Sequence, residues 1–361
     1  MWTHTLHAPG TGNLIAPVEL AKSSSKRRLN APSTGTHSVI ASDDFEWSAL
    51  LCSPWEVIVA TAWNGVCLYA GYLENVTDWN EKTRELTFST LDVRGAYMVR
   101  PVFRANAEDY RAADLTITDR SYSGAVRAVI ERVLHGNTGG WQLPIITPPD
   151  AGGPVSAFYP YWDLWTAEKA LAEMQDRDDG PDLDFAPRYR ADGGLEWVVR
   201  VGTPRLSGPE VEVNLGSQEN GLSTASFRIN GQMQRTGEIA VGNGSEADML
   251  VAFANNLDGP AMPFRDSIES GYKSITDPGV LLGHAYSDLR AYRYPTEQWS
   301  YALQANTPGA DLETLTLGSH LGVWTVGHPK YTDGWRDTYL IGFDTDLTET
   351  VSLAVQPYWE P

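Results

Sequence analysis

Five acids crowd one short stretch: Asp176, Asp178, Asp179, Asp182 and Asp184. Carboxylates that close together are what a calcium ion takes as oxygen ligands. A helix-loop-helix calcium loop needs ligands at positions 1, 3, 5 and 12, with glycine at 6. Counted from Asp176, position 5 is Gly180, so the pattern fails and the stretch reads as a solvated turn after a helix. The run Gly242-Asn243-Gly244-Ser245-Glu246-Ala247 follows a short predicted strand, Glu238 to Val241, and precedes a predicted helix. That is the place of a dinucleotide-binding turn. The rest of such a unit is missing, because no second parallel strand brings an acid about 20 residues on; Asp258 falls in a Gly-Pro turn. His4 and His7 lie near one another, and His320 and His328 flank Trp324, without the HExxH or Cys/His spacing of a zinc site. There is no GxSxG nucleophile elbow. Cys52 and Cys67, with no CxxC, read as two small core residues. The pairing of carboxylates for glycoside hydrolysis is set in three dimensions, and 46 acids leave it open. The expectation is that the chain is not an enzyme, with no catalytic, cofactor-binding or metal residues.

The elements that would position any site are mostly strands. In 361 residues, 13 Trp, 33 Gly and 22 Pro point to β structure with frequent turns. That length suffices for two or three domains. The net charge of −19 argues against a surface that coats nucleic acid, since phosphate contacts need clustered Lys and Arg. Such a surface would repel a nucleic acid passing nearby. The start, Met1-Trp2-Thr3-His4, lacks the basic and apolar parts of a secretory signal, and no stretch reads as a transmembrane helix. The run Lys22 to Asn30 holds four of the 27 basic residues and reads as a solvated hairpin tip, with an anion or partner contact as the alternative.

The spacing divides the chain into three. Residues 1–115 read as a first β-barrel domain with a turn-rich N-terminal hairpin region, residues 38–115 being consecutive strands without helical period. Residues 116–205 read as an α+β insertion, with a helix from Ser121 to His135 stopped by Gly136 and another from about Leu164 to Gln175. A hairpin follows, Leu183 to Arg188 and Leu195 to Val201. Residues 206–361 return to strands, with a helical insertion at about 245–295. There Ser245 to Asn256 and Pro278 to Tyr292 are predicted helices, the second capped by Asp277, with Leu281, Leu282, Ala285 and Leu289 on its buried face.

One strand unit occurs twice. Leu68 to Tyr72 contains Gly71 before an aromatic and leads to the closing strand Leu86 to Ser89. Tyr339 to Phe343 contains Gly342 before an aromatic and leads to Val351 to Val355. Each has a third strand upstream, Trp55 to Ala60 and Leu321 to Val326. The glycines suggest bulges where a strand curls into a small barrel. The expected fold is β-rich α+β, with two small β-barrel domains related by pseudo-duplication and α+β insertions.

This order of parts resembles the tail-hub (Tal-like) minor tail proteins of long-tailed actinobacterial phages, which share a fold with contractile-phage baseplate hubs. The run Lys22 to Asn30 before an Asp43-Asp44 loop, the strand Val66 to Leu73 followed by Glu81 to Phe88, the stretch Gly180 to Phe185, the strand end Gly202-Thr203-Pro204 and the pair Arg336 to Phe343 with Val351 to Pro357 carry it. The resemblance implies a homotrimer around a central DNA channel, at the virion tail tip, made in the host cytoplasm. Its paired barrels would meet the hexameric distal tail ring, near the tape-measure protein, and its insertions would hold tip or fibre proteins. No catalytic residues carry over, and an added C-terminal hydrolase or fibre module is expected to be absent. The alternative is a carbohydrate-binding or glycan-degrading β protein. The candidate aromatic anchors of the expected subunit interfaces are Trp55 and Trp63 in the first barrel and Trp324 and Trp335 in the second, with barrel core as the alternative for each.

Overall fold

Short β-branched and aromatic runs, punctuated by turn residues, set the architecture. The computed structural model describes residues 1–41, 50–103, 113–135, 143–177, 179–217, 220–255, 262–273, 275–306 and 311–358. The expected Asp43-Asp44 loop, the Gly136 stop, Asp178 and Asp258 lie outside them. The first block carries β1 (Trp2–His7), β2 (Leu14–Pro17), β3 (Lys22–Arg28), β4 (Thr34–Ile40), β5 (Ile58–Trp63), β6 (Val66–Asn80) and β7 (Glu85–Leu91). Asn64 and Gly65, with φ of 47° and 85°, turn β5 into β6; a two-residue hairpin loop needs this left-handed backbone. The upstream strand starts at Ile58 rather than Trp55, which itself has a left-handed φ of 68°. A helix that the strand pattern hides, α1 (Val93–Tyr97), follows β7, capped by Asp92. Five residues are too few to show a helical period. Lys22 to Arg28 is a strand with alternating burial, not a hairpin tip. Cys67 is buried as expected, whereas Cys52 is exposed.

The second block holds β8 (Leu115–Arg120), α2 (Tyr122–His135), β9 (Ile145–Ile146), β10 (Val155–Tyr159), α3 (Ala167–Gln175), β11 (Asp182–Tyr189) and β12 (Leu195–Gly202). Helix α3 starts later than its spacing suggests, because Leu164 is left-handed and Thr166 caps with its hydroxyl accepting from the Lys169 amide. Val129, Ile130, Leu171 and Met174 pack with Trp197 of β12 in one core. That core reaches β6, where Tyr72 stacks on Trp197 at 5.6 Å.

The third block holds β13 (Glu210–Asn214), β14 (Leu222–Asn230), β15 (Gly237–Val241), β16 (Val251–Asn255), β17 (Asp266–Glu269), α4 (Pro278–Tyr292), β18 (Thr296–Gln304), β19 (His320–Thr325), β20 (Gly334–Thr345) and β21 (Thr350–Pro357). The expected helix over Ser245 to Asn256 is absent from the described part of that range. Glu246–Asp248 make a single 3-10 turn, Met249 is extended, and Val251–Asn255 pair with β15. Val251 and Phe253 alternate with Ala252 and Ala254, so period two overrides the capping-box signal. Contacts divide the chain into two units, residues 1–225 with 300–361, and residues 226–299. In the smaller unit, α4 covers one face of the sheet β16-β15-β17, packing Leu281, Ala285 and Leu289 on Ala240, Ala252 and Ala254. Leu282, expected on that buried face, is 37% exposed.

Thirteen strands form one hydrogen-bonded sheet. Within it the ladder β3-β4-β7-β6-β5-β1 has the same order as the ladder β14-β18-β21-β20-β19-β13. In both, a long middle strand gives its first half to the preceding strand and its second half to the following one: β6 to β5 then β7, β20 to β19 then β21. The outermost pairs differ, since β1–β5 is antiparallel and β13–β19 parallel. The ladders join where β20 pairs with β3. Strand pairs among the described residues close neither ladder into a barrel. A bulge falls beside Gly342, between Leu340 and Gly342. A Cβ at Gly342 would lie 2.7 Å from the Arg27 carbonyl oxygen. The register slips along β6 lie away from Gly71, at Thr61/Ala62, Leu73/Asn75 and Val76/Asp78. Gly71 is needed for space instead, because a Cβ there would meet the Tyr69 hydroxyl at 2.4 Å.

The facing of α4 gives a direct test. Leu281→Ala, emptying a fully buried site, is expected to cost the smaller unit about 2–5 kcal/mol. Leu282→Ala is expected to cost under about 1 kcal/mol. Denaturant unfolding of both variants measures the contrast, and equal losses would reverse the assignment of the buried face.

Candidate functional site

The densest polar constellation lies where β3, β11 and β20 converge. Alternation along β3 turns Arg27 inward, leaving its side chain 8% exposed. Its guanidinium donates to Asp184 Oδ1 at 2.5 Å and to the Leu68 carbonyl at 3.1 Å. The other Asp184 oxygen accepts from Arg200 at 3.1 Å. Arg200 also donates to the carbonyls of Leu317 and Ser207, both at 2.9 Å. Two residues before Asp184, Asp182 accepts from Asn30 Nδ2 and from the Tyr339 hydroxyl, both at 2.7 Å, and from the Leu206 amide at 3.1 Å. Asn30, left-handed at φ 62°, exchanges a further pair of bonds with Leu183. Arg28 points the other way and donates to Asp344 of β20 at 2.5 Å.

These contacts reassign the acidic cluster. Asp182 and Asp184 are consumed by donors from β3, β12 and β20, and Asp176 is the C-cap of α3. Among the described residues, no three His, Cys, Asp or Glu side chains converge as a metal site. Within the basic run, Arg27 and Arg28 fasten neighbouring strands, while Lys22 and Lys26 face solvent. The signal available was its alternation: a strand of period two must turn every second residue to one face, Arg27 among them.

Three of the seven histidines, His4, His7 and His37, are buried. His37 bonds Ser23 Oγ at 2.8 Å and Thr90 Oγ1 at 3.0 Å, and Tyr69 bonds the same threonine at 2.8 Å. A hydroxyl beside an imidazole is the geometry of a nucleophile and its base. Here Ser23 and His37 are 4% and 1% exposed, and burial holds His37 down to about 3. An imidazole with that basicity does not take a proton at neutral pH, so the pair is a packing contact. His4, bonded to Thr61, is held down by burial to about 4. His320 lies between Glu210 at 3.4 Å and Asp337 at 3.6 Å, and the His328 ring accepts from the amides of Lys330 and Tyr331. At the glycine-rich run, Gly244 is left-handed and leads into the strand β16 rather than a helix. It lacks the helix N-terminus that holds a pyrophosphate.

Of the four expected anchors, Trp55 and Trp335 are exposed at 43% and 44%. Trp63 is core, packed edge-on to Trp2 at 5.0 Å, and Trp324 is half-buried beneath Trp335 at 5.5 Å. Val76 and Trp79 on the outer half of β6 are further exposed apolar residues.

No family model and no curated protein matches the chain. Solved structures do, and what they define is a tail-protein fold. The 43 kDa tail protein of prophage MuSo2 from Shewanella oneidensis matches with a TM-score of 0.61 at 14% identity, covering 98% of both chains. The tail protein from Neisseria meningitidis MC58 matches at 0.53 and 10%, covering 99% of this chain and 96% of that one. A chain of the Francisella PdpA–VgrG complex matches at 0.54 and 9%, covering all of this chain and 59% of that one. At such identities the likeness is one of fold, and it extends across the whole length.

Two outcomes follow from the buried charges. Asp184→Ala leaves two guanidinium groups without their shared acid and is expected to cost about 3–5 kcal/mol. Replacing the Arg27–Asp184 pair with apolar side chains, Arg27→Met with Asp184→Leu, which leaves Arg200 its two carbonyl partners, is expected to cost less than the single change; a larger loss would show that the ion pair itself stabilises. The histidines give a pH dependence. His4 and His37 ionise near 6.5 when unfolded and near 4 and 3 when folded. Each therefore loses about 1.4 kcal/mol of stability per pH unit as pH falls below 6.5. Asp92, pushed up by burial to about 6, opposes this, gaining stability as pH falls from 6 toward 4. The net expectation is a loss of roughly 2–3 kcal/mol between pH 6.5 and 5, halved or better in His37→Gln. A flat stability profile over that range counts against neutral buried histidines.

Proposed function

We propose that the chain is a structural hub of a phage tail tip or baseplate, three copies of which form a ring around the DNA channel. The observation that carries this is the match of the whole chain to a phage tail protein at a TM-score of 0.61. The recurring strand order supports reading the β ladders of residues 1–115 and 206–361 as two copies of one unit, separated by the α+β insertion of 116–205. Two equivalent units per chain let three copies present six, which fits the hexameric distal tail ring. The insertions, including the unit 226–299, would carry tip or fibre proteins, with the tape-measure protein as a further neighbour. A net charge of −19 favours a channel that does not hold passing DNA. Non-enzymatic action fits the burial of the Ser23–His37 pair described above. The Francisella likeness leaves room for the same part in a phage-related injection machine.

Counting copies in an assembled particle by density mapping tests the reading. Three per particle, stacked on a six-fold ring, is expected, and two or six would refute it. In parallel, incubation with peptidoglycan or polysaccharide is expected to release no fragments, whereas turnover abolished by one Asp or Glu substitution would favour a glycan-degrading protein.

A further inference from the structure

On the solvent face of β13, β19 and β20, an indole and two carboxylates converge over a glycine. The three strands lie in register, so rows of side chains cross all of them. One row is Asn214, Trp324 and Trp335, and the next is Glu212, Gly322 and Asp337. Beyond these, Glu210 stands opposite His320. Gly322 has no side chain, and its neighbours lean over it. Glu212 Cγ and Trp335 Cε3 lie 3.6 Å, and Asp337 Oδ1 3.8 Å, from where a Cβ would stand. Glu210, Glu212, Trp335 and Asp337 are all exposed.

We propose that this patch docks an arginine side chain carried by a partner protein. The site rests on the hub reading for the presence of a protein neighbour, and its chemistry stands on the patch alone. Three carboxylates side by side repel one another. His320 offsets them little, because its Nδ1 lies 3.4 Å from Glu210 and its Nε2 3.6 Å from Asp337, too far for good hydrogen bonds. Among the described residues, none of the three acids pairs with Lys or Arg. Elsewhere the fold answers its acids with arginine, as Arg27 and Arg200 do at Asp184 and Arg28 at Asp344. A metal ion suits the patch poorly, since no three of the described His, Cys, Asp or Glu side chains gather around one point. A guanidinium is flat and wide. It can donate to carboxylates on two sides while its face lies on an indole, whereas an ammonium is a point charge. Trp335 supplies that indole, braced edge-on by Trp324 at 5.5 Å and 77°. A sugar could also stack on Trp335, but it would leave the clustered charge unrelieved.

The test uses the full chain labelled with fluorotryptophan, Trp335 being identified by the fluorine resonance that Trp335→Phe removes. Titration with N-acetylarginine amide at low salt is expected to move that resonance along a saturating curve. The neutral isostere, N-acetylcitrulline amide, is expected to leave it in place, and the corresponding lysine amide to bind several-fold more weakly. Glu212→Gln together with Asp337→Asn is expected to weaken arginine binding roughly tenfold. Gly322→Val, which drives the three side chains apart with the charges intact, is expected to weaken it as well. No response to arginine, an equal response to citrulline or lysine, or unchanged binding in the charge variant overturns the assignment. So does a Trp335 resonance that moves with N-acetylglucosamine and not with arginine, which would make the patch a glycan site. The titration needs no assembled particle, so the site and the hub reading fail separately. Arginine binding in a chain that assembles as two or six copies keeps the site and refutes the hub. A chain that assembles as three copies but ignores arginine refutes the site and leaves the hub standing.

Discussion

The structure depends on one strand serving two partners along a single edge. β20 gives the residues from Gly334 to Tyr339 to β19 and those from Gly342 to Thr345 to β3. The bulge at Ile341 separates the two tenancies, and the Ile341 carbonyl accepts from the Leu29 amide at 2.8 Å, so the changeover leaves that oxygen paired. Buried backbone groups must find partners. The extra residue therefore does double duty, bending the strand and passing its carbonyl to the chain beyond β3. Arg27 and Arg28 then fasten the seam from both faces, one to Asp184 beneath and one to Asp344 alongside.

The buried network at this seam links three regions that are remote in sequence. Asp182 and Asp184 bring β11 of the insertion against β3 and β20, and Arg200 of β12 ties Leu317 and Ser207 into the same group. A charge this deep is costly unless every lone pair is met. The tolerance for movement between the first ladder and the insertion is correspondingly small. The stacking of Tyr72 on Trp197 adds an apolar tie between the same two regions.

Much of this was legible in the sequence where a long period was available. Helices α2 and α4 were read to within a residue or so, because caps and apolar spacing agree over more than three turns. The hairpin of β11 and β12 announced itself through Gly193-Gly194. Short elements defeated the reading. Five residues of α1 cannot show a period, and Val251 to Asn255 was hidden behind a capping signal that tertiary pairing overrode. The polar seam was the harder loss. Alternation along β3 could place Arg27 on the inner face, but nothing local joins it to Asp184, since that contact spans 157 residues and only the fold supplies it. The repeated Gly-aromatic strands fall at β6 and β20, which share a place in the strand order, yet the two glycines serve different needs, a bulge at Gly342 and clearance for Tyr69 at Gly71.

The placement of residues 231–295 between β14 and β18 bears on how the chain folds as it is made. The strands of the first ladder from β3 to β7 are contiguous, so they can zip together once Leu91 has left the ribosome. The second ladder cannot start so simply, since its first two strands are separated by a unit with its own core. Folding of that unit shortens the loop between Asn230 and Thr296 and lowers the entropy lost in bringing the strands together. β3, finished early, must wait for β20, the next-to-last strand of the chain, before its edge is covered. Through most of translation the nascent chain thus carries an unfilled strand edge bearing Lys22, Lys26, Arg27 and Arg28, charges whose mutual repulsion disfavours pairing with the same edge of another nascent chain.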